Sequence, residues 1–114
     1  MLPDAMIEIR YYVASPDYQP FAEWFADLDH VARAKVTRAI ARMEQGNLSN
    51  VKPVGEGVLE YKIDFGPGYR VYFGRDGKTL VILLTGGTKK RQQRDIETAI
   101  GYWRDYKQGK RIVR

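Results

Sequence analysis

The chain contains no cysteine and a single histidine, His30. The first absence excludes disulfides, thiolate nucleophiles, iron–sulfur clusters and cysteine zinc sites. The second excludes a His-rich metal centre or a His–His acid–base pair. No metal-ligand spacing occurs, and no cofactor is expected. Long apolar runs are missing too. The longest, Leu80 to Leu84, is far too short to cross a bilayer, so no membrane partner is expected. Met1 to Arg10 carries acids early and lacks the basic-then-apolar layout of a secretory signal. The expected location is the cytoplasm. There is no low-complexity tract, internal repeat or long linker. The 114 residues therefore predict one domain, 1–114, large enough to bury its own core.

The charge present is uneven. The chain is +5 overall. Residues 1–57 hold 6 basic and 8 acidic side chains, whereas residues 58–114 hold 13 basic and 6 acidic. The whole excess lies in the second half, a footprint that suits a polyanion such as a phosphate backbone, or serves as a solubilising surface.

Periodicity supplies the elements. Met6 to Val13 is rich in β-branched and aromatic residues and predicts a first strand. Phe21, Trp24, Phe25 and Leu28 recur at helical spacing after Pro20, and Asp29 is placed to cap a second helix. Ala32, Val36, Ala39, Ile40 and Met43 form its apolar stripe, with Arg33, Lys35, Arg38 and Arg42 mostly off it. Gly46-Asn47 ends it. Val58 to Phe65 alternates strictly, which predicts a half-buried strand with Glu60, Lys62 and Asp64 on its polar face. Tyr69 to Phe73 follows the Gly66-Pro67-Gly68 turn, with Arg70 and Tyr72 sharing a face. Asp76-Gly77 signals a hairpin into Leu80–Leu84, which Gly86-Gly87 is expected to break. A last helix is expected from about Lys89 to Lys107, buried along Ile96, Ala99, Ile100 and Trp103. The order is β-α-α-β-β-β-α, an antiparallel-rich α+β domain.

Candidate chemistry concentrates in two places. In Gly86-Gly87-Thr88-Lys89-Lys90-Arg91-Gln92, Thr88 is a good N-cap, yet three cations follow where the helix dipole is already positive. Free amides, permissive glycines and cations together describe an anion site; the other reading is an exposed basic helix start. The spacing is not that of a P-loop. Arg70, mid-strand beside a glycine turn, is either an exposed strand charge or a phosphate clamp. His30 reads as a surface or capping residue. The tyrosines read as packing, with one or two available to stack on bases. Trp24 and Trp103 read as core.

The run Gly55-Glu56-Gly57-Val58-Leu59-Glu60-Tyr61-Lys62-Ile63-Asp64 is followed by Gly66-Pro67-Gly68-Tyr69-Arg70-Val71-Tyr72-Phe73. Leu83-Leu84 then precedes Gly86-Gly87-x-Lys89-x-x-Gln92-x-x-Asp95-Ile96. Together these resemble the RelE/ParE superfamily of toxins, and its HigB-like, phage-Gp49-like "addiction module killer" branch in particular. Arg33 through Asn47 and Val51 to Gly55 fit the same branch.

The resemblance implies a small curved antiparallel sheet with two N-terminal helices packed on it and a C-terminal helix. It implies a type II toxin that cleaves mRNA, typically in the ribosomal A site, and is neutralised by a cognate antitoxin, often a helix-turn-helix protein. Arg70 matches the strand arginine at the scissile phosphate; Lys89 and Gln92 match the polar residues after the glycine pair. Lys62 stands where the branch usually has arginine, and Thr88 where aspartate is common. No histidine serves as base; a Lys or a Tyr of lowered pKa, Tyr72 among them, is the candidate proton acceptor, the alternative being that the aligned substrate itself supplies most of the rate. Lys52, Lys62, Lys90, Arg91 and Arg94 would bind RNA phosphates. The superfamily also holds non-catalytic DNA gyrase inhibitors, which is the alternative function. A third reading is a degenerate toxin retained as a corepressor.

Overall fold

A computed structural model describes residues 6–109. Residues 1–5, at the start of the Met1–Arg10 stretch, and the C-terminal cations Lys110, Arg111 and Arg114 lie outside the described residues. The elements run β1 (Glu8–Tyr11), α1 (Pro20–Ala26), α2 (His30–Glu44), β2 (Val51–Gly55), β3 (Val58–Ile63), β4 (Tyr69–Arg75), β5 (Leu80–Thr88), a 3₁₀ turn (Lys89–Arg91) and α3 (Gln92–Gly109). They form one five-stranded sheet in the order β1-β5-β4-β3-β2. Only β1–β5 is parallel, and the connection between those two strands carries most of the chain. The fold class and order expected from periodicity are present, with one strand added.

That added strand is β2, on the sheet edge. It is short and carries Pro53, whose missing N–H is tolerable only where a strand has a free side. Its hairpin to β3 turns through Glu56 and Gly57, both at positive φ (51° and 88°), the backbone sign that a two-residue hairpin turn of the primed kind requires. Arg104 of α3 binds the Glu56 carboxylate through Nε at 2.9 Å and Nη2 at 2.6 Å, tying that turn to the last helix.

The sheet is covered on both faces. One face packs Tyr61, Ile63, Val71, Phe73, Val81 and Leu83 against Phe21 of α1 and Val36, Ala39 and Met43 of α2. Asp29 caps α2 as expected, its Oδ1 accepting from Ala32 N at 2.8 Å. The other face packs Val58, Tyr72, Ile82 and Leu84 against Ala99, Trp103 and Tyr106 of α3. Among the described residues no helix is long and apolar enough to cross a membrane.

The glycine pair Gly86-Gly87 does not break the strand, contrary to expectation. β5 runs through it to Thr88. The reason is close approach on both sides. A Cβ at Gly86 would fall into the Trp24 ring of α1, and one at Gly87 into the Asp95 carboxylate of α3. Neither glycine is needed for a positive φ. Gly74 does the same for the Trp103 ring. Trp103 is core, as read from its stripe, whereas Trp24 is only half-buried.

Gly86→Ala is therefore expected to destabilise the fold by about 1–3 kcal/mol through overpacking against Trp24. Gly77→Ala has open space around it, and loses only what its positive φ (82°) costs. Urea unfolding of the two variants checks the difference: equal losses would mean that the Trp24 contact does not position α1.

Candidate functional site

The register of β3 and β4 sets the site. Glu60 faces Tyr72 and Lys62 faces Arg70 across the strand pair, all on the α3 side of the sheet. Helix α3 covers the Tyr72 end of that face with Ala99 and Trp103, and presents the polar residues of its first turns, Gln92 and Asp95, to the other end.

Glu60 is fully buried, where strict alternation predicted a solvated polar face. The pattern misled because a half-buried strand and a strand covered on both faces differ only in what lies opposite, which alternation does not report. Its carboxylate is the centre of a network. Gln92 Nε2 donates to Oε2 at 2.8 Å. Arg70 Nε lies 3.7 Å from Oε1, and Lys52 Nζ 3.8 Å from the same oxygen. Arg70 is also buried, at 4% exposure, so it is neither an exposed strand charge nor a free clamp. Its Nη1 donates to Gly68 O at 2.6 Å. The ion-pair distances exceed hydrogen-bond length, and Glu60 Oε1, Arg70 Nε and the Tyr72 hydroxyl are buried without a hydrogen bond. Three unsatisfied buried polar atoms in one place are costly, and such atoms collect where a ligand completes the network.

The surroundings of Tyr72 disfavour it as a proton acceptor. Burial pushes its phenol well above the ordinary value of 10, and the neighbouring Glu60 carboxylate adds to the rise. The shift favours the protonated hydroxyl, the form that can donate. Burial also raises Asp95, against the lowering effect of Arg91 and Arg94.

The remaining expected site residues divide. Lys89 is anchored beside the Gly66–Gly68 turn, its N donating to Pro67 O at 3.3 Å. That is the turn whose Gly68 carbonyl holds Arg70, so Lys89 joins the constellation. Lys52 belongs through Glu60, and Lys62 lies exposed beside Arg70 on β3. Lys90, Arg91 and Arg94 are exposed; Arg91 lines a cleft with Gly87 and Asp95, and both Arg91 and Arg94 act on the Asp95 carboxylate. The helix-start reading needs correction. Thr88 makes no side-chain cap, and Lys89, Lys90 and Arg91 occupy the 3₁₀ turn ahead of α3. The first turn of α3 holds Asp95, the acid its dipole favours, next to Arg94, and the three cations stand just ahead of it. His30 is exposed at the start of α2 and remote from the site.

Glu60 and Asp95 are the functional candidates that sequence reasoning passed over. The available signal was that Gly87, directly opposite Arg70 in the sheet, leaves a place for a side chain from the covering helix.

Removing one partner of a buried ion pair strands the other, so Glu60→Ala is expected to cost about 3–5 kcal/mol of stability. The Glu60→Ala/Arg70→Ala double variant should lose less than the sum of the singles, as a double-mutant cycle in urea would show.

The tyrosines give a second test. Tyr102 is raised to about 12, mainly by burial and then by a bond to Tyr18, and Tyr72 is raised further. A folded pKa above the unfolded value contributes stability that is complete below pH 10 and lost as pH rises past it. An absorbance titration at the phenolate band should show two tyrosines lagging the rest. Their ionisation near pH 10 in the folded protein would contradict the burial of this network.

Comparison with known proteins covers the same region. The family described as Phage derived protein Gp49-like (DUF891) matches residues 23–101, from within α1 to within α3, and so spans every site residue from Lys52 to Asp95. A protein of Haemophilus influenzae (strain ATCC 51907 / DSM 11121 / KW20 / Rd), described as an uncharacterized protein, is 42% identical over 80 residues, which is 69% of this chain and 81% of that protein. With its α+β sheet, two N-terminal helices and C-terminal helix, the chain belongs to the Gp49-like phage-derived family, which is associated with toxin–antitoxin modules.

Proposed function

We propose that the chain is the toxin of a type II toxin–antitoxin module, of the HigB-like branch of the RelE/ParE superfamily, and that it cleaves mRNA on the translating ribosome without a metal. A cognate antitoxin, of helix-turn-helix type, neutralises it in the cytoplasm. The observation that carries this reading is the gathering of Arg70, Tyr72 and Gln92 around the buried Glu60 carboxylate, at a sheet end flanked by Lys52, Lys62 and Lys89.

Metal-free cleavage of RNA starts with the 2′-hydroxyl. Its oxygen forms a bond to the adjacent phosphorus, the bond to the 5′-oxygen breaks, and a cyclic phosphate and a 5′-hydroxyl result. The step needs alignment, a proton acceptor, stabilisation of negative charge and a proton donor. In this reading the Arg70 guanidinium and Lys89 hold the phosphate charge. Gln92 exchanges its bond to Glu60 for one to the ribose or phosphate. That exchange frees the Glu60 carboxylate to take the 2′-hydroxyl proton. Tyr72, kept protonated by its burial, donates to the leaving 5′-oxygen. The closed resting network fits an enzyme that is inert until a positioned substrate opens it.

Induction without antitoxin, followed by primer extension on translated messages, tests the proposal. New 5′ ends within coding sequences are expected, reduced about 100-fold or more in Arg70→Ala/Lys89→Ala. Because Arg70→Ala strands Glu60, Lys89→Ala and Gln92→Ala alone serve as folded controls, and both should weaken cleavage. Growth arrest with intact mRNA would sink the nuclease reading and turn attention to DNA gyrase.

A further inference from the structure

Helix α2 holds a charge pattern that the Arg70 centre does not use. Its cations are Arg33, Lys35, Arg38 and Arg42, and its one acid, Glu44, comes at the very end. Arg33 is tied back to the Ala26 carbonyl at 3.2 Å. The other three stand at i, i+3 and i+7, a single stripe about 10 Å long at 1.5 Å per residue. Like charges at these spacings repel and weaken a helix. Among the described residues none of the three is ion-paired, whereas Arg10 and Arg104 each have a carboxylate. The stripe lines one cleft of about 250 Å³ together with Lys62 and a single acid, Asp64. Its α2 side chains and its floor of Ala39, Tyr61 and Ile63 lie on the face of the sheet opposite α3, and Lys62, paired with Arg70 across the strands, is the one residue it shares with the surroundings of that network.

We propose that this cleft is a second RNA-binding surface, which holds a phosphodiester backbone by its charge while the Arg70 centre acts on another part of the strand. The inference rests on the RNA reading above. A backbone fits better than an acidic protein segment because the one exposed apolar side chain in the cleft, Phe65, already has a cation over its ring. Ala39, Tyr61 and Ile63 on its floor are already buried, and Phe65 lies under the Lys35 ammonium at 4.8 Å. Protein partners draw most of their affinity from apolar anchors, whereas polyanions need only cations in a row.

The test is fluorescence anisotropy of a labelled, unstructured 20-nucleotide RNA across a salt series, with wild-type protein, Arg38→Gln/Arg42→Gln and Lys90→Gln/Arg91→Gln. Arg38 and Arg42 are exposed, so the first variant should keep the wild-type melting curve. Each lost cation should lower the slope of log affinity against log salt by about 0.7, so the α2 variant should lose about 1.4 and bind on the order of tenfold more weakly. An unchanged slope for the α2 variant with a reduced one for the 3₁₀-turn variant overturns this inference and leaves the RNA reading standing. No RNA binding by the wild type overturns both. Polyglutamate that binds the wild type through Arg38 and Arg42, with RNA binding unaffected by their loss, would assign the cleft to an acidic protein partner instead.

Discussion

The burial of one carboxylate organises this protein. Glu60 sits in the middle of a sheet face with no exposed surface, and a charge there is tolerable only with its partners in place. Arg70 must therefore lie across from it on the neighbouring strand, held by Gly68, and Gln92 must reach it from the start of α3. The β3–β4 register, the Gly66–Gly68 turn and the placement of α3 all follow from that requirement. Their side chains do not fully satisfy one another, and the remaining polar capacity is available to a ligand.

The two faces of the sheet are positioned by the same device. A glycine in a strand admits an aromatic ring or a carboxylate from the covering helix: Trp24 on Gly86, Trp103 on Gly74, Asp95 on Gly87. Each contact brings a helix closer to the backbone than any Cβ would allow. Close approach excludes water from Arg70 and Tyr72, and low polarity strengthens every electrostatic interaction in the network. The exposed cations show the opposite design. Lys62, Lys89 and the α2 stripe stand in water, where they attract a polyanion over a distance and are screened by salt.

Much of the fold was legible because it rests on local patterns. The i, i+3, i+4 spacing of Phe21, Trp24 and Phe25, the Asp29 cap and the alternation from Val58 onward each specify a local conformation. The edge strand β2 escaped notice because Val51 to Gly55 is short, holds a proline and alternates poorly. It is a strand because β3 offers it a hydrogen-bonding edge. Gly86-Gly87 looked like a break because glycine usually marks one, and only the helices above and below explain its place inside β5.

By itself the sequence determined the α+β class, the absence of cysteine chemistry, the basic second half and the identity of Arg70, Lys89 and Gln92 as residues worth watching. All of these are properties of composition, period or motif. Only the tertiary structure decided that Glu60 and Tyr72 are buried and that Arg70 is paired rather than free. It also placed Lys89 beside the Gly66–Gly68 turn and Arg91 beside Asp95, near neighbours in the chain with different surroundings. The physical reason is desolvation. Whether a charged or phenolic group meets water or another side chain depends on what packs over it from elsewhere in the chain, and that distance-dependent term sets both its ionisation and its partners.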